Sequence, residues 1–351
     1  MTEMNTNKIR HKIVAYLDDG KAWNENDIEV SKITHINYAF GLIKDGKVTG
    51  NHLKKIEILN KVKAKNNDLK TIISIGGWGA DGFSDAALTK ESRDIFSDSA
   101  LEFMLSNGFD GIDLDWEYPC CDQAGIIARA EDRENFTSML EMLRNKLDKQ
   151  GENDNKEYLL TIAMGAGTKY IDDIEMDEVH TYLDFINVMT YDMRGSFTHI
   201  TGHHANLYSP KGVENNISGD SSVECLIKAG VPKEKITIGT AFYGRAWHKV
   251  KNVGSGLNVE AETTGCHMKD YSELLEEYIN KNGFKRYWDD EAKAAYLFDG
   301  STFVSYEDEE SLEYKAKYVL DKNIGGIMFW EYSLDNSHKL LDMIYSVLYS
   351  Y

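Results

Sequence analysis

The chain has 351 residues, of which 42% are hydrophobic and 28% are charged, and its formal net charge is -19 at pH 7. This length and apolar content are enough for a large buried core, which excludes an intrinsically disordered chain. The excess of acidic residues disfavours nucleic acid and membranes as partners, because phosphate binding needs clustered lysine and arginine. A neutral substrate fits this charge better. We also expect a monomer.

The N-terminal segment, up to Asp19, turns acidic after a very short apolar run. A secretory signal needs a longer apolar segment, and no stretch reaches transmembrane length, so we expect neither feature in this chain. The cysteines are too few for a disulfide framework and lack the spacing of a zinc site. We expect the adjacent pair, Cys120 and Cys121, to be two thiols.

Eight apolar runs, each followed by a more polar stretch, predict strands that alternate with helices. The runs are 12–17, 34–41, 70–77, 109–119, 158–167, 185–193, 235–244 and 325–333. Amphipathic segments at 92–107, 133–149 and 311–321 suit helices that pack on one face. Eight such units predict an α/β protein with a closed (β/α)8 TIM barrel. A doubly wound sheet is less attractive, since no Gly-rich dinucleotide fingerprint follows the first strand.

The interval between the seventh and eighth predicted strands is too long for one helix. From 248 to 301 the pattern is irregular and rich in glycine and aromatic residues. A structureless loop of this length would be unusual in a compact domain. We therefore predict a small α+β insertion lobe at 248–301, with 1–247 and 302–351 forming the barrel.

The segment FDGIDLDWEYP, residues 109–119, places three acids at alternate positions, Asp113, Asp115 and Glu117. Alternate residues of a strand share a face, about 6.6 Å apart. At that separation and an effective dielectric near 20, two ionised carboxylates repel by about 2.5 kcal/mol, so the three acids do not ionise independently. A carboxyl that stays protonated can act as a general acid, and glycosidic bond cleavage is the first reaction to consider.

Two other interpretations of the acidic row remain open. It could be a solvated strand end, although the apolar residues between the acids indicate a strand with protein on both sides. It could also bind Mg²⁺ or Ca²⁺, which prefer carboxylate oxygens. Because no second acidic cluster at ligand-like spacing accompanies the row, we predict no metal and no other cofactor.

The same residues carry a resemblance to a known family. DGIDLDWEYP resembles the signature of glycoside hydrolase family 18, the chitinases and their relatives, and SIGGW at 74–78 resembles the family's third-strand motif. MTYD, FWEYS and the lobe after FYGRAW extend the resemblance from about residue 11 to about residue 348, and the lobe resembles the insertion of the deep-cleft chitinase subfamily. The resemblance implies chitin or N-acetylglucosamine oligosaccharides as substrate, which favours an extracellular location.

The resemblance also implies catalytic roles. Glu117 would protonate the glycosidic oxygen, while the substrate's own acetamido oxygen attacks, since this family is a substrate-assisted exception to the two-carboxylate scheme. Asp115 would hold the acetamido N–H, and Asp113 would share a proton with Asp115. Tyr191 would contact the acetamido oxygen.

Ten further residues are predicted to bind substrate: Trp330, Tyr16, Phe40, Ser74, Met189, Asp192, Tyr243, Arg245, Trp78 and Trp247. Trp330 would form the floor of a sugar subsite, and Tyr16 and Ser74 could also hydrogen-bond Asp113. Core packing is the alternative for Trp330, Phe40, Trp78 and Trp247, and a structural ion pair is the alternative for Asp192 with Arg245.

Three functions fit the sequence. The first is a retaining chitinase that cuts β-1,4 bonds between N-acetylglucosamine units. The second is a relative that acts on N-glycans or peptidoglycan, which needs the same N-acetyl chemistry. The third is a chitin-binding lectin on the same barrel, because fold does not fix function. Intact Glu117 and Asp115 argue against the lectin.

Overall fold

A computed structural model describes residues 11–211 and 217–349. The strands in these ranges are β1 Lys12–Asp18, β2 His35–Lys44, β3 Lys47–Thr49, β4 Lys70–Gly76, β5 Gly111–Asp115, β6 Leu159–Gly165, β7 Phe185–Met189, β8 Ile236–Ala241, β9 Tyr243–Trp247, β10 His267–Asp270, β11 Lys285–Asp289, β12 Ala294–Phe298, β13 Phe303–Tyr306 and β14 Gly326–Trp330. The start of the N-terminal segment, residues 1–10, on which the signal prediction partly rests, lies outside the described residues.

The helices alternate with these strands over most of the chain. They are α1 Ile56–Ala64, α2 Phe83–Leu88, α3 Lys90–Ser106, α4 Asp132–Asp154, α5 Thr168–Asp172, α6 Met176–Tyr182, α7 Gly219–Lys228, α8 Tyr271–Glu273, α9 Glu309–Lys322 and α10 Lys339–Tyr349. The three helices predicted from amphipathic spacing correspond to α3, α4 and α9. No helix among the described residues is long and apolar enough to cross a bilayer.

Eight strands, β1, β2, β4, β5, β6, β7, β8 and β14, form a closed parallel sheet in that order. The ring closes because β1 pairs with β14 through Lys12↔Gly326 and with β2 through Val14↔His35. The predicted TIM barrel is therefore confirmed. In such a barrel the carboxyl ends of all the strands meet at one face, which is where catalytic residues are found.

The barrel strands are buried on both faces, which explains their nearly continuous apolar sequence. All five residues of β5 are buried. Just beyond its end, Trp116 points outward, where its ring stacks on Phe83 at 5.3 Å and meets the edge of Phe136 at 5.5 Å. These outer contacts with α2 and α4 fix β5, so the acids of β5 point to the barrel interior and its mouth.

The helix α3 on the outside of the barrel begins with a capping box. The Thr89 hydroxyl accepts a hydrogen bond from Ser92 N at 3.0 Å, and the Ser92 hydroxyl accepts one from Thr89 N at 2.9 Å. This pair satisfies two backbone N–H groups that a helix start leaves open. Because this capping box lies on the outer surface, a variant of Thr89 can serve as a control for variants near the barrel mouth.

A second, antiparallel sheet contains the strands β10, β9, β13, β12 and β11, in that order. It includes β9 and β13, which flank the predicted range 248–301, because Phe303 pairs with Trp247 across the base of the lobe. A separate small core lies here, with Trp247, Tyr296, Phe298 and Phe303 at its centre. The division into a barrel and an insertion lobe at these residue limits stays a prediction.

All four cysteines lie in the described ranges and are free. The adjacent pair consists of two thiols, as predicted. Cys121 is buried, and its Sγ accepts a hydrogen bond from Lys169 Nζ at 3.4 Å, whereas Cys266 is exposed.

Candidate active site

A cavity of about 1570 Å³ lies at the carboxyl ends of the barrel strands. Of the predicted site residues it is lined by Asp115, Glu117, Tyr191, Tyr16, Phe40, Trp78, Met189, Asp192, Tyr243, Arg245 and Trp330. Residues from seven of the eight barrel strands and from the segments that follow them meet here, since closure of the sheet gathers all strand ends at one face. Three of the predicted residues, Asp113, Ser74 and Trp247, do not line the cavity.

Asp113 lies below the cavity and is completely buried. Its Oδ2 accepts hydrogen bonds from Tyr16 Oη at 2.8 Å and Ser74 Oγ at 2.7 Å, and its Oδ1 accepts from Thr161 Oγ1 at 2.6 Å and Asn187 Nδ2 at 3.4 Å. Burial raises the pKa of Asp113, while these donors act in the opposite direction. The donors come from four strands, so Asp113 is held rigidly at the base of the site.

The hydrogen bonds predicted for Tyr16 and Ser74 are both present, but the predicted contact of Ser74 with substrate is wrong. Ser74 is fully buried beneath Asp113 and does not reach the cavity. Its side chain follows the inward face of β4 one layer below the mouth, because Ser74 pairs in register with Asp113. Ser74 therefore positions Asp113 instead of a sugar.

Asp115, two residues further along β5, contrasts with Asp113. It lines the cavity, and its Oδ1 is buried with no hydrogen-bond partner. Burial, followed by the charges of Glu117 and Asp113, raises the pKa of Asp115 well above its usual value. An unpaired buried carboxylate oxygen is costly. The arrangement can accept a hydrogen bond from an N–H or O–H group of a ligand.

Glu117 lies just beyond the end of β5 and is partly exposed to the cavity. Burial raises the pKa of Glu117 to about 7, a hydrogen bond with Tyr118 opposes this rise, and the negative charge of Asp192 adds to it. A carboxyl group with a pKa near 7 is protonated in about half of the molecules at neutral pH. It can then donate a proton to a ligand in the cavity.

Tyr191 and Met189 reach the cavity from β7 and the residues after it. The ring of Tyr191 is almost buried, and its hydroxyl lies 3.7 Å from Met328 Sδ, which is a weak acceptor. Burial raises the pKa of Tyr191 well above its usual value, so its hydroxyl stays protonated and can donate to a ligand.

Trp330 is the last residue of β14, which lies across the barrel from β5, the strand that carries the acids. Its ring is tilted against Tyr16 at 5.6 Å and stacked on Phe40 at 5.4 Å. Both Trp330 and Phe40 are partly buried and line the cavity. A flat aromatic surface beside the acids suits the apolar face of a pyranose ring.

Asp192 and Arg245 form an ion pair at the cavity wall, with Arg245 Nε 2.7 Å from Asp192 Oδ1. Burial alone would raise the pKa of Asp192, but the neighbouring His204 and Arg245 hold it below its usual value. His204 Nδ1 lies 3.5 Å from Asp192 Oδ1, and the guanidinium of Arg245 lies 5.5 Å from the ring centre of Tyr243. The alternative of a structural ion pair is therefore present, and the pair still borders the cavity.

The two tryptophans predicted as outer platforms differ. Trp78 is 55% exposed, and its ring lies 6.3 Å from Phe197, which is 70% exposed. Trp247 is 0% exposed and donates its Nε1–H to Thr198 O at 2.9 Å in the core of the lobe. The prediction for Trp247 is wrong, because pairing of β9 with β13 turns this ring into the core of the second sheet.

Several cavity residues were not predicted from the sequence. They include Asp18, Asp19, His52, Lys54, Lys55, Tyr118, Gln123, Tyr170, Phe197 and Met268. Only the acidic pair Asp18 and Asp19 carried a signal, since two acids follow the first strand at the predicted catalytic end. Within the described ranges, no group of three or more His, Cys, Asp or Glu side chains is arranged to hold a metal ion.

Comparisons with known proteins agree with this geometry. Residues 12–335 match the family model of the glycosyl hydrolases family 18. The chain is 36% identical to Chitinase A1 of Niallia circulans over 94% of its own length and 57% of that protein, so it spans little more than half of this relative. It is 32% identical to Chitotriosidase-1 of Mus musculus, over 93% of this chain and 73% of that protein.

The solved structures include one of a family 18 N-acetylglucosaminidase from Paenibacillus barengoltzii. It is 48% identical to this chain with a TM-score of 0.93, and the match covers 96% of this chain and 99% of that one.

Proposed function

This chain belongs to glycosyl hydrolase family 18, and from that premise we propose that it is a chitinase that hydrolyses β-1,4 bonds between N-acetylglucosamine units with retention of configuration. The observation that carries the proposal is the pairing of two unlike carboxyls at one cavity. Glu117 has a pKa raised to about 7, and Asp115 keeps a buried oxygen without a partner. The lobe beside the cavity resembles the insertion of deep-cleft chitinases.

In this mechanism Glu117 donates its proton to the glycosidic oxygen as the bond to the leaving sugar breaks. The acetamido oxygen of the bound sugar attacks its own anomeric carbon and forms an oxazolinium ion. An intramolecular nucleophile can correspond to an effective molarity of about 10⁵ to 10⁸ M when it is held in place. Glu117 then removes a proton from the water that opens the ring.

Asp115 and Tyr191 hold the acetamido group. The free Oδ1 of Asp115 accepts a hydrogen bond from the acetamido N–H. This donor and the positive charge of the oxazolinium offset the burial that raises the pKa of Asp115, so that the ionised carboxylate stabilises the cation. The hydroxyl of Tyr191 donates to the acetamido oxygen, and Met189 packs beside the methyl group. The charge of Asp113, which lies below Asp115, adds to the rise in the pKa of Asp115.

A second candidate is release of single N-acetylglucosamine units, which is favoured by the high similarity to a solved N-acetylglucosaminidase. It uses the same chemistry and differs only in where along the chain the cut falls. Enzymes that act on N-glycans or peptidoglycan remain the other hydrolytic alternatives, and a lectin remains the alternative without hydrolysis.

The test is hydrolysis of the N-acetylglucosamine hexamer by the wild type and by Glu117→Gln. We expect the variant to lose about 10²- to 10⁴-fold in kcat, the usual contribution of a general acid, and to retain oligosaccharide binding. Proton NMR of the fresh products should show the β-anomer first, and EDTA should change nothing.

Three results would contradict the proposal. An α-anomer as first product would exclude retention, and loss of activity on chelation would indicate a metal mechanism. Binding of the hexamer by both proteins with no cleavage by either would indicate a lectin.

A further inference from the structure

A histidine outside the cavity contacts one of the residues that line it. His204 lies in the segment between β7 and α7, is 0% exposed and does not line the cavity. Its backbone N–H donates to Ser305 Oγ at 2.9 Å, and its carbonyl oxygen accepts from Met193 N at 3.0 Å. Since Met193 directly follows Asp192, these bonds fix the backbone of His204 beside Asp192, behind the cavity wall.

The ring of His204 faces the carboxylate of Asp192. Nδ1 of His204 lies 3.5 Å from Asp192 Oδ1, and the ring centre lies 5.3 Å from that of Tyr243. Within the described residues, neither ring nitrogen has a hydrogen bond of ordinary length. A buried polar atom without a partner lowers stability, so packing alone does not account for a histidine here. We propose that His204 is a positioning residue, whose ring donates a long hydrogen bond to Asp192 and keeps that carboxylate directed towards Glu117.

The surroundings of His204 keep its ring neutral. The titratable and charged groups that face the ring are Asp192, Arg245, Lys315 and Tyr243. Burial lowers the pKa of His204, Asp192 opposes this effect, and the positive charges of Arg245 and Lys315 add to the lowering. A neutral imidazole carries one N–H group, and the contact with a carboxylate places that hydrogen on Nδ1.

Asp192 is held between His204 and Arg245. Arg245 Nε donates to Asp192 Oδ1 at 2.7 Å, and Arg245 Nη2 donates to Oδ2. Against the effect of burial, His204 and Arg245 hold the pKa of Asp192 below its usual range. The backbone φ of Asp192 is 54°, a left-handed conformation that is uncommon outside glycine. Such a conformation persists where surrounding contacts fix it, and His204 supplies one of those contacts.

The position of Asp192 matters because of its effect on Glu117. Under the proposed function, on which this inference rests, Glu117 must be protonated to act. The pKa of Glu117 is raised to about 7, first by burial and also by the negative charge of Asp192. The other titratable groups near Glu117 are Asp115, Tyr118, Tyr170 and Tyr191. Since His204 lies outside the cavity, it acts on Glu117 through Asp192.

The dependence of kcat/KM on pH tests this role. In His204→Phe a ring remains but the donor is lost, so Asp192 turns away or takes up a proton more readily. Less negative charge then faces Glu117, and its pKa falls. The alkaline decline of hexamer hydrolysis should therefore begin about half a pH unit lower than in wild type, which is about a threefold loss of kcat/KM above pH 8 relative to pH 6. An alkaline limb at the wild-type position would overturn the proposal.

Two more variants of His204 separate the hydrogen bond from packing. His204→Asn keeps an N–H₂ donor near the position of Nδ1, and its alkaline limb should stay at the wild-type position. His204→Leu lacks a donor and provides the same test as His204→Phe if the larger ring prevents folding. A limb of His204→Asn that shifts as far as that of the variants without a donor would overturn the proposal, because lost packing would then be the cause.

The neighbouring His203 provides the matched control. It is 8% exposed and contacts Asp289 Oδ2 through Nε2 at 2.9 Å, and neither residue lines the cavity. His203→Phe therefore removes a similar contact from the same segment, and its alkaline limb should equal that of wild type. Thr89→Ala, on the outside of the barrel, controls for a general loss of stability. A shift in His203→Phe as large as that in His204→Phe would overturn the proposal.

An NMR titration without substrate separates this inference from the proposed function. The protein is labelled with [5-¹³C]glutamate, and the signal of Glu117 is identified by its absence from Glu117→Gln. We expect the pKa of Glu117 to be about half a unit lower in His204→Phe than in wild type. An unchanged pKa would overturn the role of His204 even if hydrolysis proceeds as proposed. A lowered pKa would support that role even if the protein cleaves no N-acetylglucosamine oligomer.

Discussion

Two neighbouring carboxyls of one strand have opposite surroundings in this protein. Asp113, at the base of the acidic row, accepts four hydrogen bonds and is sealed from the cavity. Asp115, at its open end, has a buried oxygen with no partner. The comparison separates a structural acid from one that is completed by substrate, although both are aspartates on the same face of β5.

The largest expected effect that separates the two acids comes from Asp115→Asn. The amide cannot stabilise a developing positive charge, and we expect kcat to fall by about 10² to 10³-fold, the usual range for a lost transition-state contact of this kind. Since Asp115 Oδ1 has no partner to lose, the free energy of unfolding should not fall. Steady-state kinetics and urea denaturation measure the two quantities.

Asp113→Asn is the matched control for that variant. Its amide N–H₂ would face groups that now donate to Asp113, so we expect the free energy of unfolding to fall by about 1 to 3 kcal/mol. If Asp115→Asn proved the more destabilising of the two, the assignment of structural and functional acids would be reversed.

The dependence of kcat/KM on pH should follow the titration of Glu117, the acid of the row that lies beyond the end of β5. Glu117 acts only when protonated, and its pKa is raised to about 7, so kcat/KM should fall about tenfold per unit above this pH. The same raised pKa means that the folded protein binds this proton more tightly than the unfolded chain. Stability from this group is therefore present below pH 4.5 and is lost as the pH rises through about 7.

Glu117→Gln tests that linkage. Relative to wild type, its free energy of unfolding should increase between pH 4.5 and 7.5, because the variant cannot acquire the buried charge. A constant difference between the two proteins across this range would show that Glu117 titrates near its ordinary pKa.

The smallest effect should come from Tyr16→Phe. This variant removes one of four donors to Asp113, which leaves the other three hydrogen bonds in place. We expect a loss of about 1 kcal/mol in the free energy of unfolding and a smaller loss of kcat than for Asp115→Asn. Thermal unfolding and hexamer hydrolysis measure both, and a loss of kcat as large as that of Asp115→Asn would mean that Tyr16 contacts the substrate directly.

Local sequence pattern predicted the acids but not their partners. The alternation in β5 and the resemblance of its motif identified Asp113, Asp115 and Glu117 together. Thr161 and Asn187, which complete the environment of Asp113, carried no signal, since each is one polar residue in an apolar strand. Their contact with Asp113 follows from the register of β5, β6 and β7.

The tryptophans show the same limit. Trp78 and Trp247 each follow a strand near the barrel mouth, and nothing local separates them. Pairing of β9 with β13 buries Trp247 in the second core, whereas Trp78 remains exposed on a loop after β4.

The sequence by itself determined the eight βα units, the closed barrel and the acidic row, because these depend on periodicities of two and 3.6 residues within short segments. Only the tertiary structure decided which acid is sealed and which is open, and which tryptophan is buried. Each of these depends on contacts between segments far apart in the chain, such as Ser74 with Asp113. Closure of the barrel creates those contacts, and no local pattern encodes them.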